Sequence, residues 1–96
     1  MLENQIEKNV KPLTVEKVSV SNPFNVVLFN DDIHTFDEVI IQLIKAVNCS
    51  FIEARSHAFE VHVKGKALIF GGDLPSCLKV TSILEEIELH TQIISK

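Results

Sequence analysis

Five side chains in this sequence have the chemistry to act together. Asn30, Asp31 and Asp32 form one run, His34 follows closely, and His62 lies well downstream. An amide carbonyl, carboxylates and imidazoles can accept hydrogen bonds from an ammonium group, hold a divalent cation, or move a proton. Each also has a plainer reading. Asn and Asp favour turns because they hydrogen-bond their own backbone, and two acidic residues ahead of a helix suit its positive end. A lone histidine such as His62 reads as semi-buried, with one nitrogen satisfied. A small metal-dependent hydrolase would draw on Asp31, Asp32, His34 and His62, but their spacing matches neither HExxH nor a Cys/His zinc signature. Cys49 and Cys77 stand near helix ends without an evident base, a poor setting for a thiol nucleophile. No GxGxxG, P-loop or GxSxG pattern occurs.

The elements that must position these residues are legible from periodicity. Phe24 to Phe29 (FNVVLF) is short, apolar and partly β-branched, and reads as a buried strand that Asn30-Asp31-Asp32 ends. Thr35 and Glu38 form a capping box, and Phe36, Val39, Ile40, Leu43, Ile44 and Val47 give the helix behind it an apolar stripe that Asn48 can close. Ser50 and Glu53 form a second capping box. It opens a helix with Phe51, Ala54, Ala58, Val61 and His62 near one face and Gly65 as its stop. Lys66 to Phe70 (KALIF) reads as a second strand, Gly71-Gly72 as a turn, and Asp73 as the cap of a third helix that tolerates Pro75 in its first turn. Cys77, Val80, Leu84 and Ile87 carry its stripe, and Thr91 to Ile94 reads as a last strand. The order β-α-α-β-α-β predicts an α+β fold: a small sheet with helices on one face.

Composition narrows the class. The chain has 96 residues, 46% hydrophobic, with a net charge of −4 and no block of lysine or arginine. That fits one compact domain and argues against a nucleic-acid footprint. No apolar run approaches the ~20 residues of a membrane span. Two isolated cysteines without CxxC spacing point to reduced thiols and a cytoplasmic protein. Residues 1–21 mix charges with single apolar residues and fit no signal or transit peptide. They are expected to form a flexible extension, with Val18 and Val20 as the possible start of an edge strand, ahead of a recognition domain over 22–96.

Two motifs resemble those of a known family. Pro23-Phe24-Asn25-Val26-Val27-Leu28-Phe29-Asn30-Asp31-Asp32 is similar to the signature of the ClpS family, in which proline, a strand and Asn-Asp-Asp follow one another. Thr35-Phe36-Asp37-Glu38-Val39 resembles the family's first helix. Val61-His62-Val63-Lys64-Gly65-Lys66-Ala67 resembles its second motif, and Lys79-Val80 the start of its third helix. The resemblance implies a three-stranded antiparallel sheet carrying three helices. It also implies a monomeric, non-enzymatic adaptor without metal or cofactor. Such an adaptor binds destabilising N-terminal residues (Leu, Phe, Tyr, Trp) of N-degron substrate proteins. It delivers them to a ClpA- or ClpC-like AAA+ unfoldase. Asn30, Asp32 and His62 would hold the substrate's α-amino group, with Asp31 supporting that loop. Leu28, His34, Phe36, Val39, Ala58 and Val61 would line the side-chain pocket, and Lys79 would meet the unfoldase.

Several positions depart from the pattern. His34 stands where the family usually has Thr or Ser, and Phe36 and Ala58 replace common methionines. The Gly71 to Cys77 segment is shorter than usual and lacks the family's Glu. A ribosomal-stalk-like interaction domain of similar fold is the other non-enzymatic reading, and it needs no acceptor pocket.

Overall fold

The computed structural model describes residues 23–96. The expected extension, and the edge strand at Val18 and Val20, lie outside the described residues.

Strand β1 (Phe24–Phe29) is followed by helix α1 (Phe36–Val47), helix α2 (Phe51–Lys64), strand β2 (Lys66–Gly72), helix α3 (Leu74–Leu84), a 3-10 turn (Glu85–Ile87) and strand β3 (Thr91–Ser95). The α+β order is the one periodicity predicts. β1 is the middle strand of a three-stranded sheet ordered β2-β1-β3, antiparallel to both neighbours. The register of β1 against β2 shifts between Val26 and Val27, where Val26 faces Phe70 and Val27 faces Leu68. Ile69 is therefore the extra residue of a bulge.

Alternation along the strands decides which face is covered. Val26 and Leu28 of β1, with Ala67 and Ile69 of β2, are buried under the helices. Leu68 and Ile94 lie on the exposed outer face, so β1 is buried on one side only. Ile40 and Leu43 of α1, Ala54, Ala58 and Val61 of α2, and Cys77, Val80 and Leu84 of α3 close the core. Fully burying a side chain such as Leu43 contributes about 1.5–3 kcal/mol. Phe51 is a correction: it opens α2 on the solvent side and is 59% exposed. The face of α2 that packs inward is only Ala54-Ala58-Val61 wide, and the small alanines allow close approach.

The helix ends follow local chemistry. Thr35 Oγ1 accepts from the Glu38 N–H at 3.1 Å while Glu38 accepts from the Thr35 N–H at 2.8 Å. Ser50 and Glu53 repeat the arrangement. α1 stops at Asn48 (φ 61°) and α2 at Gly65 (φ 89°), both left-handed. Only glycine takes that conformation without penalty, and Asn tolerates it better than most.

Gly71 and Gly72 correct a second expectation. They do not turn but extend β2, facing Asn25 and Phe24. A Cβ on Gly71 would come within 3.0 Å of Asn25 Oδ1, and one on Gly72 within 3.0 Å of the Phe70 ring. The absent side chains serve close packing rather than chain reversal. Asp73 alone makes the connection, accepting from the Ser76 N–H at 2.8 Å to cap α3. Lys79 and Val80 consequently fall in the middle of α3, not at its start.

Candidate functional site

The segment between β1 and α1 is held at both ends. At its start, the Phe29 N–H bonds the His90 carbonyl at 3.0 Å and the Asn30 N–H bonds the Gly65 carbonyl at 2.9 Å. Gly65 is the stop of α2, so the second bond sets Asn30 beside the last turn of α2, which carries His62. At its other end, Asp31 folds the loop onto itself. Its Oδ1 accepts from the N–H groups of Ile33 (3.0 Å) and His34 (2.9 Å), and its Oδ2 meets His34 Nδ1 at 2.7 Å. His34 Nε2 then bonds the carbonyl of Ile87 in the 3-10 turn. Both Asp31 oxygens are thus occupied within the loop, while Asn30 and Asp32 are exposed.

The electrostatics of this pair follow from its contacts. The His34 pKa is raised above its ordinary 6.5, first by the bond to the Asp31 carboxylate; burial opposes this, and the Ile87 carbonyl reinforces it. For Asp31, burial pushes upward, but the bonds from His34 and the Ile33 N–H outweigh it and hold the carboxyl below its ordinary 3.8. The two groups form an ion pair when His34 is protonated.

Behind the loop lies an open cavity of about 550 Å³. That is within the roughly 300–1,000 Å³ typical of small-ligand sites. Asn30, Asp32 and His62 line it, with Asp31 and His34 beside them. The apolar wall is Phe36 and Val39 from α1 with Ala58, Phe59 and Val61 from α2. Of the residues singled out from sequence, Leu28 does not reach this wall. It is fully buried, because strand alternation turns it under the helices. His62 is exposed rather than semi-buried, and Lys79 is exposed on α3, outside the cavity lining. Arg55 and Phe59 were missed. Positions 55, 58, 59 and 62 share one face of a 3.6-residue helix. Once Ala58 and His62 were placed on the cavity, that spacing pointed to both.

This arrangement suits binding more than catalysis. Among the described residues no three of His, Cys, Asp and Glu are grouped to hold a metal ion. Both His34 nitrogens are already committed to protein oxygens. Burial raises the pKa of Cys49 and of Cys77, the reverse of what a thiolate nucleophile needs. The cavity brings hydrogen-bond acceptors and apolar surface together in one lining.

Comparison with known proteins decides the family. The model of the ATP-dependent Clp protease adaptor protein ClpS matches residues 19–92. The chain belongs to the ClpS family. Over 73 residues it is 37% identical to the human E3 ubiquitin-protein ligase UBR2, covering 76% of this chain and 4% of that one. Over 70 residues it is 31% identical to human UBR1, covering 73% and 4%. It therefore corresponds to a small part of each ligase. A solved structure, Agrobacterium tumefaciens ClpS2 bound to L-phenylalaninamide, superposes with a TM-score of 0.69 at 20% identity, covering 79% of this chain and 99% of that one. The ClpS fold expected from the two motifs is the fold observed, and the family is one of adaptors. No helix among the described residues is long and apolar enough to cross a membrane.

Proposed function

We propose that this ClpS-family chain reads the first residue of a protein: Asn30, Asp32 and His62 accept hydrogen bonds from its α-ammonium group, and the apolar wall takes its side chain. The observation that carries the reading is the pairing of exposed acceptors with that wall in one cavity. A free α-amino group has a pKa of roughly 7.7–8.0 and is mostly an ammonium at neutral pH, with three N–H donors to satisfy. An amide oxygen, a carboxylate and a neutral imidazole nitrogen match them. An internal peptide offers a single neutral N–H and would leave acceptors unpaired, which costs about 1–3 kcal/mol per group. The site is then selective for chain ends without breaking a bond.

The wall supplies the second half of the affinity. Burying one large apolar side chain contributes roughly 1.5–3 kcal/mol, which favours Leu, Phe, Tyr and Trp as first residues. Asp31 is read as the support of the loop, since its oxygens are spent there. The ligand in the solved relative, an amide of phenylalanine with a free amine, has this chemistry. The family description, a Clp protease adaptor, supports delivery to a Clp unfoldase; the reading adds a ClpA- or ClpC-like partner, exposed Lys79 as a contact and a part in transfer for residues 1–21.

The test is fluorescence anisotropy with a Leu-initiated peptide, free or N-acetylated. The free peptide binds, and acetylation removes most of the affinity. Equal affinities would sink the reading and favour an interaction domain without an acceptor pocket.

A further inference from the structure

The loop that carries Asn30 and Asp32 contains a group the binding reading does not use. The His34 side chain is only 10% exposed. Its two ring nitrogens face two oxygens: a carboxylate in the same loop, and a carbonyl in the 3-10 turn, far along the chain. Neither oxygen can donate. The carboxylate is ionised, since Asp31 accepts from two backbone N–H groups and its acidity is strengthened. A neutral imidazole carries one N–H and one lone pair, and in either tautomer the lone pair would point at an acceptor. The geometry is satisfied only when both nitrogens carry hydrogen.

We propose that His34 is the positioning residue of this cleft: as an imidazolium bridging Asp31 to the Ile87 carbonyl, it holds the Asn30–Asp32 run where it accepts an α-ammonium group.

The inference rests on the α-amino reading above and adds a dependence on proton occupancy to it. Backbone bonds to Gly65 and His90 fix only the start of the loop. The far half is held through Asp31 and His34 to a turn that is itself braced. Gln42 of α1 donates to the Ile83 carbonyl at 2.6 Å and to Glu86 at 3.2 Å, and Lys45 pairs with Glu86 at 2.8 Å. Loss of the second imidazole hydrogen breaks one of the two bonds and frees either the Asp31 end or the Ile87 end. The charged groups facing His34 favour the charged form. They are Asp31 from the loop and Glu38 from the first turn of α1. The 3-10 turn presents the Ile87 carbonyl, while its Glu86 is taken by Lys45 and its Glu85 accepts from the Thr91 hydroxyl. From α2, Arg55 and His62 line the same cavity as His34.

Linkage gives the sign. Peptide binding selects the ordered loop, so it favours the imidazolium, and protonation of His34 favours the peptide to the same degree. The His34 contribution to affinity is fully present below the ordinary histidine pKa and declines as pH climbs through the raised value.

The substrate amine also loses its proton in the alkaline range, so the experiment separates the two titrations. Ring-nitrogen NMR on the full wild-type chain, with each histidine ring assigned through its own backbone resonances, reads the His34 proton count directly. Two protonated ring nitrogens are expected at neutral pH, and the His34 midpoint moves upward when a Leu-initiated peptide is bound. In parallel, peptide affinity is measured from about pH 5.5 to about pH 9, spanning both ordinary pKa values. On the alkaline side wild type loses affinity in two steps, and His34→Gln shows only the step of the peptide amine. The His62 acceptor is common to both proteins, so their ratio isolates His34: the variant binds about tenfold more weakly below the His34 midpoint and converges with wild type at the alkaline end. A general packing defect would instead weaken binding equally at every pH. A singly protonated ring at neutral pH overturns the proposal, and so do parallel pH profiles. If the free peptide is still preferred over the acetylated one, the α-amino reading survives that result; if wild type loses that preference, both fall. The ring measurement on wild type needs no variant to fold.

Discussion

Among the described residues the chain passes from strand to helix in two places, and the two junctions are built differently. Between β2 and α3 a single residue, Asp73, leaves the strand and caps the helix. Between β1 and α1 the chain spends Asn30 to Thr35, although Thr35 alone makes the equivalent capping bond to Glu38. The extra residues add little to the helix. Ordering them costs backbone entropy of about 1–2 kcal/mol each. The offset comes from bonds inside the loop and from the reach of His34 to the turn after α3. What the longer junction gains is a pair of exposed acceptors, Asn30 and Asp32, over an apolar wall. One junction serves only the fold, and the other is read as serving a ligand.

The difference can be broken by exchanging effects between the junctions. Asp32→Asn should lower the affinity for a Leu-initiated peptide roughly 10- to 100-fold, since it removes a charge-assisted bond of about 1.5–3 kcal/mol. Its melting temperature should be nearly unchanged. Asp73→Ala should do the reverse, lowering the melting temperature by a few degrees through the lost cap while leaving affinity alone. Anisotropy and thermal melts on the two proteins decide it. A loss of affinity in Asp73→Ala would mean that the two junctions are coupled.

The wall sharpens the comparison next. Ala58 is 2% exposed on the cavity side of α2, and Phe36 is 38% exposed at the opening of α1. Ala58→Met should narrow the set of accepted first residues, because overpacking costs ~1–3 kcal/mol, or roughly 5- to 150-fold in affinity. Phe36→Ala should widen the mouth and admit Ile or Val at some loss for Leu. Ranking Leu-, Phe-, Ile- and Val-initiated peptides against both variants checks this; an unchanged order would remove both residues from the side-chain pocket.

The smallest effect is on stability against pH, and it belongs to the longer junction alone. The raised His34 pKa contributes stability that is fully present below 6.5 and is lost as pH rises through the higher folded value. The lowered Asp31 pKa contributes stability that is present above 3.8 and is lost as pH falls through its lower folded value. The difference in melting temperature between wild type and His34→Gln should therefore be widest between these limits and shrink on both sides. A constant difference across pH would show that the pair is not ionised in the folded chain.

Much of this molecule is written locally. Both capping boxes, the stops at Asn48 and Gly65, and the Asp73 cap were read from sequence, because each depends on a few neighbouring residues and their backbone. The strand and helix order followed from period, and the Asn30-Asp31-Asp32 motif and the Val61 to Ala67 motif carried the family resemblance. Tertiary structure decided the rest. Gly71 and Gly72 looked like a turn, and only the approach of Asn25 and Phe70 shows why glycine stands there in a strand. Leu28 could have faced either side of β1 until the helices covered one of them, and Phe51 shared the α2 pattern but met no partner. Arg55 and Phe59 came to line the cavity once α2 packed against α1. His34 stands as a polar residue beside a cap in the sequence. Its second partner, Ile87, lies 53 residues away, and no local rule relates two positions that only the packing of α1 against the end of α3 brings together.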